Sequence, residues 1–362
     1  MAVTLAPRLA AAGPVPVYAA IGEGIRDAVE DLFLLPSLTR AGTPRAAAVL
    51  LVAGALRDED AQALRRLHDQ LPHPRGTIWW RAVPPPGFAH ATAAEQADAQ
   101  SVVRRVIEQH ASLLLDPTMS EPDCVPDEPP APWRGVGQHG QGGEGMMGGK
   151  PYGRAMAMTG EDLRDGLQLD AFRLRLGPFA PMLPPGLVLE LLLQGDVIQQ
   201  AKVLQIPFAQ PEPSTPRSFL RRAARMLELL ELPALAERCR RRADEMGGPD
   251  LSLLRAVRWS GAFAAVPRDL ARVESLGTDA RERLQGWLAG SGGTATAIGM
   301  HLDQLLPGLE WQEAMLAIAS LDGLPFAREP ADERTSGGPA MAAGQAMQDH
   351  AHQAPHTHGG SG

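Results

Sequence analysis

Cysteine is almost absent from this 362-residue sequence, which has only Cys124 and Cys239. An iron–sulfur cluster takes four thiolates and a structural zinc site takes clustered Cys and His, so the chain cannot furnish an all-cysteine cluster by itself. A structural disulfide is not expected in a cytosolic chain either. Aromatic residues make up 4%, too few to build stacking platforms for bases. The formal net charge of −8 argues against a general nucleic-acid binder, which needs a basic face to displace counterions from phosphates. No apolar run approaches the roughly 18 to 20 residues that span a bilayer; the longest, 46–56 and 187–193, are strand-length. Residues 1–20 carry an early Arg8 but no continuous apolar core of signal-peptide type. The expectation is a cytoplasmic protein.

Hydrophobic residues amount to 44%, enough for real cores, and the length suits two ordinary domains. PRAAAVLLVAG, ending at Gly54, has the pattern of a buried strand feeding a tight turn. DEDAQALRRLHDQL then sets Ala61, Leu64, Leu67 and Leu71 on one helical stripe, with Asp58, Glu59 and Asp60 near the positive end of the helix. His68 sits beside that stripe as an edge residue with no special role. After PHPRG, TIWWRAV reads as a second strand, giving a strand–helix–strand unit of open-sheet type.

Residues 116–150 change character. EPDCVPDEPPAP is acidic and proline-rich and GVGQHGQGGEGMMGGK is mostly glycine, the composition of an interdomain linker. Cys124 is expected there as an exposed, free thiol. The glycine run is not a phosphate loop, because Gly149-Lys150 is followed by Pro151 and Glu144 stands at the first glycine position. In the second half, LRLGPFAPMLPPGLVLELLLQGDVI reads as strand, proline-bound loop, strand, two-residue turn at Gly195-Asp196 and strand. Leu187, Leu189, Leu191 and Leu193 share one strand face. Helices follow, with Phe219, Ala223, Met226, Leu227 and Leu230 at helical spacing and Cys239 as a buried small apolar residue of the next helix. Further helices are expected around 250–260, 278–290 and 309–320. The arginines of RCRRRAD occupy a solvated face. From Glu329 the chain is low-complexity, and His350, His352, His356 and His358 could collect a divalent metal weakly.

LLVAGALRDEDAQALRRLHDQLPHPRGTIWW resembles the 20-kDa-type subunit of respiratory complex I and the small subunit of nickel–iron hydrogenases. Val52, Gly54, Leu64, Arg65, Asp69, Gln70, Pro72, Pro74 and Arg75 carry the match. The second half is similar to the partner of that subunit, the 49-kDa-type or hydrogenase large subunit. Leu176, Gly177, Pro178, Pro181, Gly186, Gly195 and Asp196 match its first hairpin, and Ser320, Leu321 and Asp322 match its closing Ser-Leu-Asp turn. The resemblance implies a fused pair of subunits stripped of metal ligands. Val83 stands where the family places a cluster cysteine, and Ala180 and Pro185 stand where quinone-reducing relatives place histidines. No cysteine pair follows the Ser-Leu-Asp turn.

These readings predict an α/β domain over 1–115 with an open sheet, a linker over 116–150, an α+β domain over 151–328 with a small antiparallel hairpin sheet followed by helices, and a disordered histidine-containing tail over 329–362. The predicted function is a non-catalytic or accessory subunit of a hydrogenase-like or NADH:quinone oxidoreductase-like complex. Its partners would be the other subunits of such an assembly, with membrane association at most peripheral, and it would contain no evident cofactor of its own. One alternative is a genuine oxidoreductase subunit using a partner-held cluster, flavin or quinone; another is a metal-handling or assembly factor acting through the histidine tail. No catalytic residue is assigned. The degenerate site is expected in the cleft between the halves, formed by Val83, Pro84, Gly177, Pro178, Ala180 and Pro181. Arg154, Arg164 and Asp165 are candidates for contacts between the halves.

Overall fold

Strand β3 (Val49–Ala53) shows why the first half folds as it does: all five of its residues are buried, so both of its faces must be covered. In the computed structural model it lies at the centre of a parallel sheet. The structure describes residues 13–88, 92–93, 98–126, 134–135, 159–211, 215–245, 250–292 and 299–327. Strands β1 (Val15–Ile21), β2 (Leu38–Arg40), β3, β4 (Gly76–Trp80) and β5 (Thr92–Ala93) pair in the order β2-β1-β3-β4-β5. Val49, Leu51 and Ala53 face helices α1 (Arg26–Leu32) and α3 (Ala99–Leu115), packing with Val29, Leu32, Val102 and Val106. Leu50 and Val52 face the other way, toward Leu64 and Leu67 of helix α2 (Ala61–His68). The sheet is therefore wound on both faces, and its order reverses between β1 and β3. The expected strand–helix–strand unit is β3-α2-β4. The sequence reading missed β1 because Pro14 and Pro16 interrupt its apolar run, and β2 because it has only three residues.

The second half builds an antiparallel sheet, β6 (Thr159–Glu161), β7 (Gln168–Leu176), β8 (Val188–Gln194) and β9 (Val197–Gln205), in sequential order. Leu187, Leu189, Leu191 and Leu193 are all buried and pack on helix α4 (Pro216–Leu229) through Phe219, Met226 and Leu227. Thr215 and Ser218 close a capping box at the start of α4. Helices α5 (Pro233–Asp244), α6 (Leu251–Trp259), α7 (Ala262–Ala265), α8 (Ala280–Leu288), α9 (Leu302–Leu305) and α10 (Trp311–Ser320) complete this core. Cys239 is fully buried in it, as its stripe implied. The mixed helix-and-strand content expected from the sequence is present.

The chain up to Glu329 forms one compact unit; Pro330–Gly362, with the four tail histidines, lies outside the described residues. One boundary needs correcting. Residues 116–126, expected to open the linker, pack on the first sheet instead. The Glu121 N–H donates to the Arg75 carbonyl at 3.0 Å, and the Glu121 carboxylate accepts from the Thr77 N–H at 2.9 Å and from its hydroxyl at 2.7 Å. Composition suggested a linker, but a few well-placed polar contacts are enough to hold a proline-rich strap on a sheet edge.

Candidate functional site

Open parallel sheets bind ligands beyond the carboxyl ends of their strands, where the strand order reverses. Here that place lies beyond β1 and β3, at Gly22 and Gly54. A side chain at Gly22 would run into the Ala55 carbonyl, and one at Gly54 (φ +81°) would come within 2.6 Å of the Glu23 carbonyl. The crevice is filled by the chain's own segment 206–210. The Gly24 N–H donates to the Ala209 carbonyl at 3.0 Å. The Gln210 side chain donates to the Gly22 carbonyl at 2.8 Å and accepts from the Arg26 N–H at 3.1 Å. The Arg57 guanidinium reaches the Gly186 carbonyl at 3.1 Å and the Ile206 carbonyl at 2.6 Å while lying 4.2 Å over the Phe208 ring.

An ion-pair ladder seals the adjoining face. Arg217, Arg221 and Arg225 recur every fourth residue along α4 and so line one side of it. They face three acids of α1. Arg217 meets Asp31 at 2.9 Å, Arg221 meets Asp27 at 2.6 Å and also Asp31, and Arg225 meets Glu30 at 2.8 Å. Asp322, just past α10, pairs with Arg26 and Arg225 at 2.8 Å each. Burial alone raises the Glu30 carboxyl, but Arg225, Arg26, Arg40 and Arg221 outweigh it and hold the group at about 2. The same contest at Asp322 is won by Arg225 and Arg26, which keep it well below the carboxylate range.

Beside the ladder is a cleft of about 340 Å³. The hairpin loop contributes Pro178, Phe179, Ala180, Pro181 and Met182 to its lining. Opposite stand Tyr18, Arg26, Glu30, Arg40, Arg225 and Asp322. Burial pushes the Tyr18 phenol up to about 12, so its hydroxyl remains a donor, and it binds the Phe179 carbonyl at 2.7 Å. Arg40 lies 4.4 Å over the Phe33 ring, and its buried Nη2 makes no hydrogen bond. Burial, with the nearby Arg240, brings the Arg40 guanidinium down to about 10. Among the residues lining the cleft there is neither cysteine nor histidine. The lining offers guanidinium donors, carboxylates and apolar surface, suited to holding the two halves together or binding a polar group.

The structure brings three of the expected positions, Pro178, Ala180 and Pro181, to this cleft. The other three need correcting. Pro84 is not among the residues that line it. Val83 is 80% exposed and away from it, because the chain leaves β4 outward through Pro84–Pro86. Gly177 lies behind the loop, where its φ of +101° and the close Leu187 carbonyl leave no room for a side chain. Arg164 does not bridge the halves; it pairs with Glu310 at 3.0 Å inside the second half, and Asp165 accepts from the Leu167 N–H. Arg154 lies outside the described residues. Within RCRRRAD, Arg240 departs from the solvated-face reading, because it lines the cleft and pairs with Glu228.

Two further corrections concern His68 and Cys124. His68 is 1% exposed rather than an edge residue, and Cys124, a free thiol as expected, is half-buried 3.4 Å from it rather than exposed in a linker. Burial first, and Asp69 second, push the Cys124 thiol up to about 11, which disfavours a reactive thiolate. The reading missed the α4 arginines. Their spacing of four, opposite the acidic pattern Asp27, Glu30 and Asp31, was the available signal. No protein-family model matches the sequence, and no curated protein matches it.

Proposed function

We propose that this chain is a non-catalytic accessory subunit of a hydrogenase-like or NADH:quinone oxidoreductase-like complex, acting as an interaction scaffold in the cytoplasm. The observation that carries the proposal is the filled crevice. The place where an open parallel sheet offers a ligand site is occupied by residues 206–210 of the same chain. The hairpin loop that faces it presents Ala180 and Pro185, neither of which can donate a proton or ligate a metal. A second observation favours a partner surface. Leu163, Leu167, Leu169 and Phe172, on or beside β6 and β7, are 61%, 57%, 42% and 62% exposed, and apolar side chains grouped on one edge mark interaction sites.

Co-purification of the full-length chain from its native host, with the bound proteins identified, tests the reading. Recovery of hydrogenase-like or complex I-like subunits, reduced by Phe172→Glu without a change in melting temperature, is the expected outcome. A monomer without redox-protein partners would refute it.

A further inference from the structure

At the opposite edge of the first sheet, away from the cleft, four side chains converge that the proposed scaffold role does not use. His68 closes α2, Asp69 follows it, and Glu121 and Cys124 arrive on the strap over residues 116–126. Glu121 is locked in place, one oxygen accepting from the Thr77 N–H and the other from the Thr77 hydroxyl and facing His68 Nε2 at 3.0 Å. With Nε2 turned to Glu121, Nδ1 faces the other way. Nδ1 then looks onto a second carboxylate oxygen, Asp69 Oδ1, at 2.8 Å, and onto Cys124 Sγ at 3.4 Å. Phe88 lies edge-on to the imidazole at 5.3 Å and helps hold its plane.

The Asp69 carboxylate is fixed by the strap, its Oδ1 accepting from the Cys124 N–H at 2.9 Å and its Oδ2 from the Val125 N–H at 2.7 Å. His68 Nδ1, facing a carboxylate oxygen and a sulfur, can share a proton with Asp69 or bind a metal ion. The nearby Arg75 does not fill the gap, since its Nη2 is 3.5 Å from Asp69 Oδ1 and is engaged by Asp123. A proton could satisfy the His68–Asp69 pair but makes no use of the sulfur. A metal ion uses all three atoms. The donor atoms of His68, Asp69 and Cys124 lie within 4.8 Å of one another, and ligands around a tetrahedral zinc are about 3.3–3.8 Å apart at ordinary bond lengths. Small side-chain adjustments close that difference.

We propose that His68 Nδ1, an Asp69 carboxylate oxygen and Cys124 Sγ form a three-ligand site for a divalent transition metal of zinc type. The donor set selects the class: thiolate with imidazole favours zinc, cobalt or nickel over calcium or magnesium, which take oxygen ligands. Glu121 is the positioning residue, holding the ligating histidine from its far nitrogen as carboxylates do around zinc. Binding displaces the thiol proton to solvent, so the metal enters as a cation and one proton leaves. Three protein ligands leave the fourth position open to water or another donor, and the half-buried Cys124 places that position toward solvent.

The test uses the full-length chain, stripped of metal and titrated with Co²⁺ as a spectroscopic probe and then with Zn²⁺ in competition. A sulfur-to-cobalt charge-transfer band that saturates at one ion per chain is expected. Cys124→Ser should abolish the band and His68→Ala should weaken binding at least tenfold. Cys239→Ala should leave the band intact, as should a chain with His350, His352, His356 and His358 all changed to Ala. Glu121→Gln should weaken binding about 10–100-fold, as loss of an outer-shell partner does. Melting curves of the metal-free variants identify any that fail to fold, and Cys124→Ser is a one-atom change at a half-buried ligand. A band that survives Cys124→Ser, or disappears with the tail histidines, overturns the proposal. So does the absence of any band from the wild-type chain.

Discussion

Removing the charge of Asp322 should cost this protein more than almost any other single substitution outside its apolar cores. Asp322→Asn preserves shape but takes away the carboxylate that pairs with Arg26 and Arg225 at 2.8 Å each. Glu30 is then left as the nearest counter-charge for both, at 3.8 Å from Arg26 and 2.8 Å from Arg225. Arg26, Glu30 and Asp322 are all buried, so water cannot replace the lost partner. Breaking a buried pair in this way costs about 3–5 kcal/mol, whereas an exposed pair is worth at most about 1 kcal/mol. At about 1.5 °C per kcal/mol for a unit of this size, from an unfolding entropy of about 2.1 cal/mol/K per residue, the melting temperature should fall by roughly 5 °C. Thermal and urea unfolding followed by circular dichroism measure this directly. The double variant with Arg26→Met should lose less than the sum of its two single variants. A loss below about 1 kcal/mol would refute the reasoning, since it would mean that the ladder is solvated and does not hold the halves together.

The same ladder sets a pH dependence. Glu30 and Asp322 are both held below their ordinary values in the folded protein. Their contribution is therefore fully present above the unfolded carboxyl values near 4 and is lost as pH falls toward the folded ones. For Glu30, moving from 4.5 to about 2 corresponds to about 3 kcal/mol at neutral pH. The ladder's contribution should be flat from pH 7 to about 5.5 and the melting temperature should fall steeply between about pH 5 and 2, with a shallower fall in Asp322→Asn; burial of His110, which lowers its value, adds a fall below the ordinary histidine range. Gly177→Ala should prevent the hairpin loop from closing, because the new methyl meets the Leu187 carbonyl and the backbone sits at φ +101°; low soluble yield or a large drop in melting temperature is the expected readout. Arg40→Met should cost less than Asp322→Asn, since its buried Nη2 makes no hydrogen bond while Glu30 keeps Arg225, Arg26 and Arg221 as counter-charges. A loss as large as that of Asp322→Asn would overturn this ranking.

The elements whose pattern is local could be read directly from the chain. PRAAAVLLVAG is apolar on both faces because β3 is covered on both, so its run of buried residues appears in the sequence itself. The leucines at 187, 189, 191 and 193 alternate because only one face of β8 meets α4. Gly195-Asp196 marked its turn because a two-residue hairpin needs positive φ, which Gly195 supplies at +59°. The placement of Pro178, Ala180 and Pro181 at the cleft rests on the resemblance to the large-subunit hairpin, not on local spacing.

What the sequence could not reveal depended on pairings between residues far apart along the chain. Nothing local to Asp27, Glu30 and Asp31 shows that α4 will lay Arg217, Arg221 and Arg225 against them. His68 read as an edge residue because the groups that bury it, Glu121 and Cys124, arrive more than fifty residues later on a strap whose composition resembles a linker. Periodicity reports which face of an element is apolar and therefore inside. It carries no information on which polar groups from separate elements meet there. The sequence by itself determined β3, the β3-α2-β4 unit, the hairpin strands and the helices of the second half through local spacing. Only the tertiary structure decided that the second half fills the first sheet's crevice and that a histidine, a carboxylate and a thiol converge at its far edge, because both outcomes arise from long-range docking.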